Sequence, residues 1–176
     1  MKYPIKKIEK AFNIKLKRNA VSLGLDTASK SGYCIAKTNT KTIKLDIGFI
    51  NIDVKGIKDR VLKNALRYEE LYRQLKKLIK SNYIVVIEDV FHSFNAYTTI
   101  LLARIGAIAW TLAKEIDCKK IMWKTAVQAR KGLSLPCNKK KKIVMNEMNK
   151  ILNTKIKNSD MVDALILAIN GLIKEK

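Results

Sequence analysis

The chain has 176 residues, 48% of them hydrophobic, which is enough to bury a core and excludes a disordered polymer. Lysine and arginine number 36 against 15 acids, a formal net charge of +21. A folded chain this basic suits a polyanionic partner, nucleic acid first and a membrane surface a distant second.

Cys34, Cys118 and Cys137 are odd in number and form no C-x-x-C pair, so they read as reduced thiols of an intracellular protein. No signal peptide is visible, and no apolar run approaches the ~18–20 residues of a membrane span. Residues 1–19 place Ile5, Ile8 and Phe12 at helical spacing among lysines. They predict a basic amphipathic helix or arm outside a domain that starts at residue 20. An organelle-targeting role for this segment is disfavoured by Glu9 and by its scarcity of Ser and Arg.

The stretch "AVSLGLDTA" predicts a strand ending in Asp26, "SGYCIAKT" a second strand and "TIKLDIGFINI" a third. The short turns between them argue for an antiparallel meander. Residues 58–80 repeat apolar side chains at helical spacing. The continuous run "YIVVIE" then predicts a strand buried on both faces and closed by Glu88. Residues 96–115 predict an apolar helix, "KKIMWK" a fifth strand, and 141–152 and 159–173 two last helices. The order β-β-β-α-β-α-β-α-α implies a five-stranded mixed α/β sheet, three antiparallel strands followed by parallel ones, with helices on both faces.

In such a sheet, sites form beyond the carboxyl ends of the strands, where Asp26 and Glu88 meet if their strands are neighbours. In "NSDMVDALILAI", Asp160 and Asp163 lie three apart and project from one helix face. Four carboxylates together repel unless something positive lies among them. Hard oxygen donors with no His or Cys cluster point to Mg²⁺ or Mn²⁺, two ions of which can activate water and stabilise a leaving oxygen. The blander readings are a turn for Asp26, a helix cap for Asp160 and a structural role for Asp89.

Three segments carry a resemblance: "LGLDTASKSGYCIA", "VVIEDVFHSFNAYTTILLARIGA" and "SDMVDALILAI". Through them the chain resembles the RuvC family of Holliday junction resolvases, in the RNase H-like superfamily. The middle segment, with Glu88, Val90, Phe91, Asn95, Ala96, Arg104 and Gly106, is the most specific. The resemblance implies an RNase H-like fold and Mg²⁺-dependent symmetrical nicking of four-way DNA junctions by a homodimer. It implies that Asp26, Glu88, Asp160 and Asp163 hold metal and that Phe91 presses on bases, a contact worth ~1–3 kcal/mol per base. It also implies DNA contacts from Lys124, Arg104 and a lysine in the run 139–142, among which Lys141 and Lys142 stand at the start of a helix. Asp26-Thr27-Ala28 replaces the usual Asp-Pro-Gly or Asp-x-Gly, and residues 1–19 have no counterpart in the pattern, which suggests a divergent, viral or phage-like branch. His92 reads as an exposed loop residue, and Trp110 and Trp123 as core or interface side chains.

Three functions compete at this point. A junction-resolving endonuclease is favoured, followed by a broader flap or RNA–DNA hybrid nuclease and by a non-catalytic basic DNA-binding protein.

Overall fold

The computed structural model describes residues 1–27, 31–90, 95–137 and 140–175. In chain order they form β1 (Lys2–Pro4), α1 (Ile5–Phe12), β2 (Val21–Leu25), β3 (Ser31–Thr38), β4 (Thr42–Ile50), α2 (Arg60–Leu78) and β5 (Tyr83–Glu88). The series continues with α3 (Ala96–Glu115), β6 (Lys120–Lys124), α4 (Ala126–Gly132), α5 (Lys141–Leu152) and α6 (Ser159–Gly171).

The strands make one sheet in the order β1-β4-β3-β2-β5-β6. The expected meander is present, since β2 pairs antiparallel with β3 and β3 with β4. β5 joins the other edge of β2 in parallel, and β6 joins β5 in parallel. The sheet therefore has six strands rather than the five read from the sequence. The additional one, β1, is too short to display an alternating pattern, and pairs Tyr3 opposite Ile43 on β4.

Alternation along the strands divides the core in two. Leu23, Leu25, Val85 and Ile87 face α2 and α3, where Leu71, Leu75, Ile105, Ala109 and Leu112 complete an apolar layer. Cys34, Ala36, Ile84 and Val86 face the opposite side, packed with α1, α5 and α6. α6 is the buried spine of that layer, with every residue from Val162 to Gly171 inside. Gly24 makes its close approach possible, because a Cβ there would lie 2.2 Å from the Ala164 carbonyl oxygen.

Residues 1–19 do more than extend the chain. Ile5, Ile8 and Phe12 are buried in the α6 layer, and Leu16 bridges to Ile173. Glu9 fastens the segment by accepting from the Leu16 amide at 2.8 Å and pairing with Arg18 at 2.8 Å. Helix α4 is a further addition to the predicted order. Its start carries a capping box, Thr125 with Gln128, which is readable as T-x-x-Q.

α3 is long and apolar enough to cross a membrane by length and composition, which the sequence reading did not register. Its inner side, including Leu101, Ile105 and Ala109, belongs to the core layer, while Ile100 and Trp110 stand exposed.

Candidate active site

Three elements deliver the acids. Asp26 follows β2 directly, and Glu88 ends β5, whose parallel register sets Leu25 beside Ile87. The two carboxyls are thus one step beyond paired residues. Both lie on the α6 side of the sheet, since Ser22 and Gly24 on one strand and Ile84 and Val86 on the other face that layer. The Asp26 amide donates to the Gly32 carbonyl at 3.0 Å, which fixes the chain as it leaves the strand.

α6 runs over these strand ends with its N-terminus toward them. Asn158 is its cap, accepting from the amides of Asp160 and Met161 at 2.7 and 3.2 Å. This overturns the reading of Asp160 as a cap and leaves its carboxylate for other work. Gly32 allows the approach, because a Cβ there would lie 2.5 Å from the Asp160 carbonyl oxygen. Asp163, one turn on, is buried with its carboxylate held by Arg130 of α4 at 3.0 Å.

The ammonium of Lys141, the first residue of α5, stands among these acids. It lies 3.0 Å from Asp160 Oδ1, 3.1 Å from Asp163 Oδ2 and 3.9 Å from Asp26 Oδ2. Its pKa is raised: desolvation acts to lower it, and the attraction of Asp26, Asp163 and Asp160 outweighs that. Asp26 is pushed up to about 10, first by burial and then by a hydrogen bond to Glu88 and that neighbour's charge.

The four acids predicted from the sequence are therefore brought to one place. The donor set fits a hard divalent cation on three observations. All donors are carboxylates, the buried Asp26 Oδ2 and Asp163 Oδ2 have no hydrogen-bond partner, and a cationic side chain is already drawn between them. Among the described residues no three acids stand at the spacing of a metal's ligands.

The predicted DNA-contacting residues divide. Lys141 is inside the acidic centre, Lys142 and Arg104 are exposed, and Phe91 lies outside the described residues, as do His92 and Lys139. Lys124 pairs in register with Glu88. It lines a separate cavity of about 320 Å³ with Lys17, Asn170 and Lys174 rather than the acidic cluster. Asp89 is exposed, and its amide donates to the Lys124 carbonyl at 2.9 Å, so its part is in the backbone. Arg130 was missed by sequence reading. Its only signal was a capping box that would have placed it late in a short helix.

Acids at the ends of two adjacent parallel strands, closed by a helix laid across them, define the class as an RNase H-like α/β protein with a buried carboxylate centre. The family model described as crossover junction endodeoxyribonuclease RuvC matches residues 22–171, and the chain belongs to that family. A RuvC of Aliarcobacter butzleri is 30% identical over 154 residues, 84% of this chain and 94% of the relative. One of Campylobacter concisus is 31% identical over 157 residues, with 84% and 92% covered.

Solved structures share the fold. Thermus thermophilus RuvC in complex with Holliday junction substrate matches with a TM-score of 0.67 at 14% identity, covering 86% of this chain and 91% of that one. The yeast mitochondrial Holliday junction resolvase Ydc2 matches with a TM-score of 0.59 at 13% identity, covering 93% and 82%.

Proposed function

We propose that this chain is a junction-resolving endodeoxyribonuclease, hydrolysing phosphodiesters at symmetrical positions of four-way DNA with Mg²⁺ or Mn²⁺. The observation that carries the reading is the convergence of Asp26, Asp160 and Asp163 on Lys141, with Glu88 beside Asp26, in a member of this family. The pattern of donors suits two divalent ions, held by these four residues, which would supply an activated water and charge neutralisation at the scissile phosphate.

The chain's own residues do the rest. Arg130 neutralises and orients Asp163 from beneath. Gly24 and Gly32 keep α6 close enough to the sheet for its acids to reach Asp26. Asp26 binds a cation as a carboxylate and its pKa is raised by burial, so cation binding is favoured by rising pH. The net charge of +21 holds a polyanion over a centre that alone would repel it. Phe91, three residues after the end of β5 and adjoining Val90, is the aromatic we assign to base stacking at the junction.

The partner copy is assigned to α3. Ile100, Ala103, Ala107 and Trp110 form an exposed stripe at helical spacing, and a two-fold junction needs two cuts from a two-fold enzyme. Trp110→Glu is expected to yield monomers by light scattering while the fold stays intact by circular dichroism; dimers that persist place the interface elsewhere.

The deciding experiment is cleavage of an immobile four-way junction with Mg²⁺ or Mn²⁺ against EDTA, beside Glu88→Gln. Paired symmetrical nicks that require both metal and Glu88 are the expected result. Preferential cutting of RNA–DNA hybrids or flaps would replace junction resolution with a broader nuclease, and binding without cuts would leave a DNA-binding protein.

A further inference from the structure

The acidic centre contains two cationic side chains of very different freedom. Arg130 is buried, with 7% of its side chain exposed, and holds Asp163 Oδ1 from a short helix in the core. Lys141 is 49% exposed and reaches in from the surface to Asp163 Oδ2, Asp160 Oδ1 and Asp26 Oδ2. The first is part of the wall. The second can leave.

Nothing in α5 itself holds Lys141 there. Its first turn has no acid, and the preceding Lys140 offers no side-chain cap. Lys140, Lys141 and Lys142 therefore crowd positive charge onto the helix end where the backbone dipole disfavours it. The attraction comes from the carboxylates. Two of the oxygens that Lys141 faces, Asp26 Oδ2 and Asp163 Oδ2, are buried and without a hydrogen-bond partner. These are donors left open for a cation.

We propose that Lys141 is a resident counter-cation of the metal cradle: it gathers Asp26, Asp160 and Asp163 while no metal is bound, and it must withdraw before a divalent ion can enter. It thereby weakens metal affinity and is released toward solvent when the ion arrives. This deepens the assignment of the four acids as metal ligands and rests on it. The direction of the effect follows from elementary electrostatics. An ammonium 3–4 Å from the same oxygens competes with the ion for them and repels it, a cost that no neutral side chain imposes.

The test is direct binding of Mn²⁺ to the full chain, followed by calorimetry and by the loss of the free-ion electron paramagnetic signal, without DNA. Lys141→Met keeps the apolar stem and is expected to bind Mn²⁺ about tenfold more tightly or better. Lys141→Arg keeps the charge and is expected to bind as weakly as the parent. Equal or weaker affinity in Lys141→Met overturns the proposal; if the parent still binds and Asp26→Asn does not, the carboxylate site stands without it. Absence of binding in the parent and in Lys141→Met would overturn both. Binding in Lys141→Met alone would support both.

A second readout needs no substitution. Amine acylation of the parent, mapped by mass spectrometry, is expected to modify Lys141 faster with Mg²⁺ than with EDTA, with Lys63 on α2 unchanged. Equal rates at Lys141 would count against withdrawal.

Discussion

The two faces of the sheet solve different problems with the same strands. The α2–α3 face is a plain apolar layer, from Leu23 and Val85 to Leu75 and Leu112. The α6 face buries Asp26, Asp163, Arg130, Asn170 and Ser22 among its apolar residues. Buried charge costs free energy even when paired, and burial pushes the Asp26 carboxyl up. One face therefore supplies stability, and the other spends part of it on an acidic centre. Alternation along β2 is enough to produce both, since Leu23 and Leu25 point one way and Ser22 and Gly24 the other.

The comparison is most sharply broken at the acids. Asp26→Asn or Glu88→Gln is expected to lower junction cleavage by at least about a hundredfold, with junction binding by gel shift retained. Equal loss of cutting and binding would make the carboxylates structural.

On the opposite face, Leu75→Ala should cost about 2–5 kcal/mol of stability through a core cavity, measured by urea unfolding, with Mn²⁺ affinity of the folded protein unchanged. A change in that affinity would show that the faces are coupled. Gly32→Ala is smaller in scale but strikes the site. Its Cβ must displace the Asp160 backbone, so about 1–3 kcal/mol of stability and part of the metal affinity should be lost together.

A further effect has the opposite sign. Burial and the neighbouring Glu88 push the Asp26 carboxyl up to about 10, from an ordinary value of 3.8. The native state binds the extra proton, so its stability falls as pH rises through that window. Asp26→Asn removes the loss. It should raise the melting temperature of the metal-free protein at neutral pH by about 2–4 °C for each kcal/mol relieved, and flatten the pH dependence. An unchanged melting curve would mean that Asp26 ionises freely.

Much of this site was legible because it depends on local pattern. A strand that closes on an acid, as in "YIVVIE", declares the acid's position. The i, i+3 spacing of Asp160 and Asp163 declares their shared face. Strand neighbours followed from the short turns of the meander. The burial of Ile5, Ile8, Phe12 and Leu16 within residues 1–19 was not legible. Lysines between Ile5, Ile8 and Phe12 look the same on a solvated arm as on a helix whose other face is covered, and only the partner surface distinguishes them.

By itself, then, the sequence determined the alternation of strands and helices, the four acids and the basic balance, all carried by periodicity and composition along the chain. The tertiary structure alone decided which cations meet those acids. Arg130 and Lys141 are 33 and 19 residues away from their carboxylate partners Asp163 and Asp160, and no periodic signal spans such a separation. Only the packing of α4, α5 and α6 brings them within 3 Å or so, because pairing across that distance is set by the fold's layers and not by local propensity.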